Sequence, residues 1–544
     1  MRAAGFFVFA SIATLLPVAV IGWNMGAMAP FWFLAGDAYL YLGIGEASSG
    51  IAMSFDGLRP TNGFHPLWQT WVRAATALSG DPLGAMTWVA YSAIALTWAG
   101  VLTLGAAIRR FTGSWFLAML AVPGVYYLMI GQSLQNLPVW GFFDGMEVGL
   151  AFFLAALLAF VIAGMTRDPD AGPWPLIGLI LGLLVLTRLD EVFVPASIAL
   201  AVLAWPGRPL AARIVAGAWI TAPTAIGLAL FVGWSLATTG MMAPVSGAAK
   251  GEGALIANAW VSLATIFSPL IDLREALSAY QAERGALLGG AFRVVQLVVP
   301  ALFALGFMGF ILARRFTAPW APVLTGIGGG ILAKATYNLL LVNYWHQASW
   351  YFAVAMMMMT LGTAIMLAPA VKRQGRWGRA IAAGTLGALS ILHASLWSAA
   401  LMTDTLRPAQ RDFWLDRGAL QATLLEQDPA LRVMEFGDGM INFSFDFPVR
   451  HGFVFAGDAQ SLESLRAGRL LRESYADGFR VLSSYEYLRV PDGAEDWDSD
   501  RIRAFLENSF LDDRIKDELR YFDFEIRLVH RPSGVPFIGL IPRG

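Results

Sequence analysis

The chain has 544 residues, of which 57% are hydrophobic and only 14% are charged, and its formal net charge is −1. This composition excludes an ordinary soluble protein, and a near-neutral charge without a basic run gives no indication of nucleic-acid binding. The absence of cysteine excludes disulfides and zinc–thiolate sites.

Charged residues are distributed unevenly along the chain. Of the 39 acidic residues 25 follow Met402, as do 18 of the 38 basic residues, which leaves 14 acids and 20 bases in the first 402 positions. We therefore predict a mostly α-helical, polytopic membrane module over residues 1–402, followed by a small soluble α+β domain over residues 403–544.

Apolar runs predict about eleven transmembrane helices, because each span needs roughly 20 apolar residues. The predicted spans are 7–29, 83–108, 113–131, 146–165, 174–187, 192–206, 212–238, 289–313, 318–342, 350–371 and 380–402. The sequence LTRLDE interrupts one long apolar run and predicts two short helices that meet there.

Lys and Arg residues near the span ends fall on one side, which the positive-inside rule makes cytoplasmic. With the N-terminus in the cytoplasm, an odd number of spans places the C-terminal domain outside, which in the inner membrane of a bacterium is the periplasm. No small-residue cleavage site precedes the Asp37 loop, so the first helix is predicted to be uncleaved. The outer side collects the longer loops, at 30–82, 132–145, 239–288 and 343–349. Within the first of these, 38–51 and 64–78 are apolar on one face, which predicts interfacial helices.

Ionisable groups beside spans are costly to place in a membrane, so they are candidates for function. On the predicted outer side they are Asp37, Glu46, Asp144, Glu147, Arg188, Asp190, Glu191, Lys250 and His346. Asp37, at the exit of the first span with no basic neighbour in sequence, has the weakest structural explanation.

Several of these residues have an alternative structural explanation. Arg188 with Asp190 or Glu191 forms an ion pair in one reading, and Lys334 pairs with a carboxylate within its span. Asp144 is well placed to cap the helix that follows it. His65 and His346 would then hydrogen-bond among interfacial aromatic residues.

No metal cluster, phosphate-binding glycine loop or serine-nucleophile motif is present in the sequence. An outward-facing transferase needs a lipid-carried donor, because nucleotide-activated sugars are scarce outside the cytoplasm. A carboxylate can take the proton of an acceptor hydroxyl, and lysine or arginine can stabilise a departing phosphate. These residues therefore favour group transfer from a lipid phosphate.

Five motifs resemble the GT-C class of integral membrane glycosyltransferases, in particular its polyprenyl-phosphate-dependent arabinofuranosyl and mannosyl transferases. They are, in order, GDAYLYLGIG, TNGFHPLW, FDGMEVGLAFFLAALL, LTRLDE and PVSGAAK. The likeness in order and spacing covers about the first 250 residues. It implies a GT-C-like fold, a polyprenyl-phosphate-sugar donor, a cell-envelope glycan acceptor and inversion at the anomeric carbon.

The resemblance also implies roles for individual residues. Asp37 matches the general base, whereas Lys250 and Arg188 match positions near the donor phosphate. Substrate-binding roles are expected for Tyr41, His65, Trp68, Asp144, Glu147, Asp190 and His346.

The chain departs from the family pattern at three places. Gly36 stands where relatives often carry a second acid, so no metal ligand is assigned and a divalent cation (Mg²⁺ or Mn²⁺) stays an open alternative. Leu189 replaces a proline and Val245-Ser246 replaces Asn-Thr, so the donor sugar need not be arabinofuranose.

Two other functions stay open at this point: a flippase for lipid-linked sugars, and a membrane anchor whose tail binds glycan. Transporters often show repeated halves and helices broken at mid-membrane, and no internal repeat is visible here. In the tail, strand-like runs at 432–436, 452–455, 479–482 and 522–529 and helical stretches at about 407–425 and 460–475 predict the small α+β domain. Phe443, Phe445 and Tyr485 are expected there as exposed aromatic residues that could contact a glycan.

Overall fold

The structure is a computed structural model. It describes residues 2–122, 143–165, 172–206, 208–250, 305–311, 318–341, 351, 353–403, 406–437, 439–483, 497–507, 513–520, 523–529 and 537–543. This part of the chain is predominantly helical, as predicted.

Helices follow one another along most of the chain. They are α1 (Ala3–Met25), α2 (Pro30–Phe33), α3 (Gly36–Ala47), α4 (Pro66–Ser79), α5 (Pro82–Thr112), α6 (Trp115–Ala118), α7 (Val148–Ile162), α8 (Trp174–Thr187), α9 (Phe193–Ala204), α10 (Leu210–Thr239), α11 (Val245–Lys250), α12 (Ala321–Leu341), α13 (Ala353–Arg373), α14 (Arg376–Thr403), α15 (Leu406–Gln427), α16 (Met440–Ser444), α17 (Ala459–Arg466), α18 (Leu470–Ala476), α19 (Ser499–Glu507) and α20 (Asp513–Leu519). The described residues also form the strands β1 (Val433–Glu435), β2 (Val449–His451), β3 (Val481–Ser483), β4 (Asp523–Val529) and β5 (Phe537–Arg543).

Most predicted spans within the described residues are helical. The LTRLDE segment separates α8 from α9 by a short 3₁₀ helix, Leu189–Val192, which confirms that two helices meet there. The predicted span 113–131 instead contains the four-residue helix α6, and its end lies outside the described residues, as does most of 289–313.

Four helical segments of the described residues are long and apolar enough to cross a membrane. They are Ala3–Met28, Pro82–Thr112, Leu210–Thr239 and Ala353–Arg373. On them, apolar side chains such as Trp23 and Ile226 are exposed, 90% and 61% respectively, as expected for surfaces that face lipid. The protein is therefore a membrane protein, whereas the count of eleven spans and their orientation stay predictions.

Small residues allow helices of the membrane region to pack closely. Gly182 on α8 lies against Pro223 of α10, where an added Cβ would meet the proline carbonyl carbon at 3.1 Å. Gly330 on α12 lies against α9, where an added Cβ would be 2.7 Å from the Cα of Val194. Glycine at such crossings lets the helix backbones approach closely, and the resulting van der Waals packing stabilises helix association in lipid, where the hydrophobic effect between helices is weak.

Contacts divide the chain into two compact units. The first contains Met1–Trp32, Ala90–Ala229 and Glu252–Asp404. The second contains Phe33–Val89, Leu230–Gly251 and Thr405–Gly544. Two segments that precede the C-terminal region in sequence thus fold with it, which a linear division at residue 402 does not anticipate. The domain boundary and the periplasmic location of residues 403–544 stay predictions.

The second unit contains a mixed five-stranded sheet in the order β2-β1-β3-β5-β4. Strands β2, β1 and β3 are parallel, with Glu435 opposite both His451 and Ser483, while β5 is antiparallel to β3 and β4. Helices α17 to α20 pack against this sheet through a buried apolar cluster, which also includes Val245 of α11. The start of the PVSGAAK segment is therefore part of a hydrophobic core.

The tail differs from its predicted elements at three points. The strand predicted at 452–455 is absent because Val454 has a φ of 63°, which is incompatible with extended backbone. The helix predicted at 460–475 is divided into α17 and α18 around Gly468, whose φ is 62°. Phe443 and Phe445, expected to be exposed, are only 3% and 6% exposed, and Tyr485 lies outside the described residues.

Candidate active site

A network of buried charges occupies the first unit, where helices bring distant motifs together. Arg188 follows α8, Asp190 and Glu191 lie in the adjoining 3₁₀ helix, Glu147 directly precedes α7, and Lys334 lies in α12. Arg188 and Glu147 are 1% and 0% exposed. We call these five residues the charge network.

Each cation of the charge network contacts two carboxylates. Arg188 pairs with Glu147 and donates from Nε to Asp190 Oδ1 at 3.2 Å. Lys334 pairs with Glu191 and lies 3.0 Å from Asp190 Oδ2. The structure therefore brings the predicted residues Glu147, Arg188 and Asp190 together.

The pairing agrees with the structural alternative for this segment. Charges in an apolar interior require partners, because the cost of removing them from water is otherwise not offset. Three carboxylates and two cations leave this network with an excess of negative charge, which does not attract a phosphate. The guanidinium of Arg188 also lies 4.6 Å from the ring centre of Tyr351. A role for Arg188 at the donor phosphate stays a prediction.

Asp144 has a local role in the turn before α7. Its Oδ1 accepts a hydrogen bond from the backbone N–H of Met146 at 2.9 Å, and Gly145 between them has a φ of 76°. The Asp144 carboxylate thus stabilises the turn that leads into α7, a role similar to the predicted helix cap. The carboxylate of Glu147 instead pairs with Arg188.

The first loop places Asp37 in the first turn of α3, in the second unit. A negative charge there is favoured by the exposed backbone N–H groups and dipole of the helix. Asp37 is half-buried among buried neighbours, and Tyr41, one turn further on, is 7% exposed. Helix α3 is buried on most sides, whereas an interfacial helix of the kind predicted at 38–51 would be buried on one face only.

Helix α4 carries the aromatic end of the same loop. His65 immediately precedes this helix and is half-buried, with Pro66 in its first turn. Trp68 is 1% exposed, so its ring is part of the packed core. Gln69 donates from Nε2 to the backbone oxygen of Tyr41 at 3.0 Å and thereby links α4 to α3.

Between α3 and α4, residues 48–65 are anchored to the C-terminal region within the second unit. The Arg59 guanidinium lies 2.8 Å from Asp477 Oδ2, and Thr61 Oγ1 donates to Gly457 O at 2.6 Å. Asn442 Nδ2 donates to the oxygen of Phe55 at 2.7 Å. This anchoring uses both side chains and backbone, and the sequence offered no signal for its partners.

Asn62 connects the same loop to α11. Its Oδ1 accepts the backbone N–H of Val245 at 2.8 Å, and its Nδ2 donates to Ser235 Oγ at 2.6 Å and Ala243 O at 3.0 Å. Asn62 is 1% exposed, so these bonds satisfy the amide away from water. The TNG motif thereby positions the helix that ends at Lys250.

Lys250 lies at the end of α11 and contacts an aromatic residue of the C-terminal region. Its ammonium is 4.9 Å from the ring centre of Phe455, and its charge also acts on His451. An aromatic face attracts a cation without neutralising it.

His451, which the sequence did not single out, is 1% exposed among aromatic rings. Its Nε2 hydrogen-bonds with the oxygen of Gly437 at 3.0 Å, and the rings of Phe55 and Phe455 lie 5.5 and 5.9 Å away. Burial lowers the pKa of His451 to about 4, the Gly437 bond opposes this shift, and the positive charge of Lys250 adds to it. His451 is therefore neutral at physiological pH.

His346 lies outside the described residues. Among the residues that the structure does describe, no group of three or more His, Asp or Glu side chains is arranged to hold a metal ion.

No protein-family model matches the chain, and no curated protein matches its sequence. Solved structures do match. ArnT from Cupriavidus metallidurans, bound to undecaprenyl phosphate, has 11% identity and a TM-score of 0.50, over 99% of this chain and 98% of that chain. The chain has a GT-C-like fold. The Archaeoglobus fulgidus oligosaccharyltransferase, in complex with Zn and sulfate, has 14% identity and a TM-score of 0.48, over 98% and 72% of the two chains.

The charge network predicts a large cost for removing one of its cations. Lys334→Met would leave Asp190 and Glu191 with less compensation, and breaking a buried pair costs about 3–5 kcal/mol. We expect a lower melting temperature in detergent, measured by intrinsic fluorescence. Lys334→Met with Glu191→Gln should recover part of the loss, and the exposed Lys372→Met should have little effect. An unchanged melting temperature for Lys334→Met alone would contradict the pairing.

The buried His451 predicts a pH dependence of stability. The unfolded chain takes up this proton near pH 6.5 and the folded chain only near pH 4, so stability falls as pH decreases through that interval. The full effect is about 3 kcal/mol below pH 4. We expect His451→Gln to lose this contribution when melting temperature is measured against pH. If the melting temperatures of His451→Gln and the unmodified protein change with pH in parallel, His451 does not contribute to the pH dependence of stability. The pKa of His451 can be measured directly by ¹³C NMR of labelled histidine.

Proposed function

We propose that the protein is an inverting glycosyltransferase that moves a sugar from a polyprenyl-phosphate-linked donor to an acceptor glycan of the cell envelope. The observation that carries this proposal is the fold, which matches ArnT over almost the full length of both chains. That structure contains undecaprenyl phosphate, a polyprenyl phosphate of the kind that the sequence motifs predict for the donor.

Asp37 is proposed as the general base. It is half-buried, in the first turn of α3, and belongs to the first loop after the N-terminal span. Asp190, Glu147 and Glu191 are already paired with Arg188 or Lys334. The resemblance to GT-C glycosyltransferases implies the general base at Asp37 and not at these three residues.

Lys250 is proposed to stabilise the departing phosphate. Its position is fixed through Val245 at the start of α11, whose side chain is buried in the apolar cluster and whose backbone N–H donates to Asn62 Oδ1. The Lys250 ammonium also lies 4.9 Å from the ring centre of Phe455. Fixed cations that face a developing negative charge are among the largest contributions to catalysis.

The reaction is a single displacement. Asp37 takes the proton of an acceptor hydroxyl as its oxygen forms a bond to the anomeric carbon. The bond from that carbon to the phosphate oxygen breaks, and the phosphate leaves with the bonding electrons. Attack from the face opposite the phosphate inverts the anomeric carbon. We further propose that the site faces the periplasm of a bacterial inner membrane, where the donor is lipid-linked.

Asp37→Asn should abolish transfer while the protein still folds. Loss of a general base typically lowers the rate by about 10² to 10⁴-fold. The assay uses a panel of synthetic polyprenyl-phospho-sugars with detergent-solubilised protein and a cell-envelope glycan. Asp500→Asn is the matched control, since Asp500 also lies in a helical first turn but is exposed. Near-normal turnover of Asp37→Asn would remove it from this role, and lipid movement without bond cleavage would indicate a flippase.

Lys250→Ala should raise the KM for the donor or lower kcat, by about 10-fold or more, because the leaving phosphate loses its cation. Lys250→Arg should retain part of the activity because the positive charge is kept. Lys516→Ala, on α20, is a control for the loss of a lysine elsewhere in the second unit. If neither kinetic parameter changes in Lys250→Ala, the phosphate is bound elsewhere.

A further inference from the structure

A cavity of about 390 Å³ lies in the second unit, between the end of α3 and the helices that follow it. Its size falls in the range of small-molecule sites, about 300–1,000 Å³. It is lined by Gly45, Glu46, Ser48, Arg73, Thr76, Ala77, Gly80, Asp81, Pro82, Ala85 and Phe443. The proposed base and phosphate-binding roles do not use this space.

Glu46 offers hydrogen-bonding capacity to the cavity. Its carboxylate makes no hydrogen bond to any residue that the structure describes. It interacts electrostatically with the charges of Asp446 and Arg417. Glu46 is exposed and lines the cavity. A carboxylate in this position can accept hydrogen bonds from several hydroxyl groups of a ligand.

Arg73 supplies donors to the same cavity. Its guanidinium donates from Nη2 to Gly50 O at 2.6 Å and contacts the sulfur of Met53 at 3.7 Å. These contacts orient the group and use two of the five N–H donors of an arginine. Asp81 is partly committed, because its Oδ1 accepts the N–H of Gly84 at 2.8 Å.

The chemistry of the lining restricts the ligand class. Two carboxylates, Glu46 and Asp81, against one guanidinium disfavour a phosphate or another anion. About half of the lining is polar, which disfavours a lipid chain, and the other half, which includes Phe443 and Ala85, is apolar. A sugar fits both parts, because its hydroxyls pair with carboxylate and guanidinium, and its C–H groups are attracted by the negative face of an aromatic ring.

The cavity is separate from the proposed base. Glu46 follows Asp37 by nine residues on α3, which corresponds to about 13.5 Å along the axis and half a turn around it. A sugar beside Glu46 therefore does not reach Asp37. Such a sugar would belong to a longer glycan and lie away from the sugar whose hydroxyl reacts.

We propose that this cavity is a saccharide-binding site, in which Glu46 and Arg73 hydrogen-bond a neutral sugar residue of the acceptor glycan. Only the assignment of that sugar to the acceptor rests on the proposed transferase function; the binding of a saccharide does not. The cavity accordingly selects acceptors that carry a sugar beyond the one that reacts.

The pKa of Glu46 gives the site a pH dependence. Partial burial raises this pKa to about 7, Asp446 adds to the rise, and Arg417 opposes it. Arg73 and Asp81 are the other charged groups of the lining. Hydrogen bonds to an ionised carboxylate are the stronger ones, so a saccharide should bind more tightly at pH 8 than at pH 6.

The test measures binding to the full-length protein in detergent, by saturation-transfer NMR with methyl glycosides of arabinofuranose, mannose, glucose and galactose. At least one should bind, and Glu46→Gln should weaken its binding at least fivefold and remove the difference between pH 6 and pH 8. Ala77→Leu should abolish binding by filling the cavity from an exposed position. Glu463→Gln, an exposed carboxylate on α17, is the control and should bind as the unmodified protein does.

The outcomes separate this proposal from the transferase proposal. The saccharide site is refuted if none of the four glycosides binds, or if Glu46→Gln and Ala77→Leu both bind normally. Asp37→Asn should keep the binding while losing transfer. If Asp37→Asn still transfers and Glu46→Gln has lost saccharide binding, the assigned base is wrong and the saccharide site stands.

Discussion

The side-chain amide of Asn62 holds together two segments of the second unit that are far apart in sequence, the first loop and residues 235–245. It bonds the first loop to Ser235 near the end of α10, to Ala243, and to the first residue of α11. Because the amide is buried and fully engaged, the loop and α11 cannot shift independently without leaving polar atoms unsatisfied. The placement of Lys250, and hence the proposed phosphate site, depends on this constraint.

The charged residues proposed or predicted to function in the two units have different surroundings. In the first, Arg188 and Lys334 are each held by two carboxylates, which offsets the cost of an apolar environment and stabilises the approach of α8, α9 and α12. In the second, Lys250 lies against the ring of Phe455, and Glu46 faces a cavity. Both proposals rest on the second unit, where Lys250 ends α11 and Glu46 lines the cavity.

Much of the helical architecture could be predicted, because apolar runs of membrane length have few alternatives to a helix. The break at LTRLDE was also readable, since charged residues interrupt such a run. The tail was harder. The left-handed backbone of Val454 and the turn at Gly468 are local conformations that follow from packing, so a strand was predicted where none forms and one helix where there are two. Phe443 and Phe445 were expected at the surface, yet burial of aromatic area draws them inward.

The sequence by itself determined that this is a helical membrane protein and which polar residues stand beside its apolar segments, because hydropathy and charge are properties of the residues. Its motifs also indicated the GT-C-like fold. Only the tertiary structure decided which charges meet: Arg188 with Glu147 from 41 positions away, Asn62 with Val245, and Arg59 with Asp477. The physical reason is that an ion pair or hydrogen bond depends on distances of about 3 Å, and no pattern along the chain specifies such distances between remote segments.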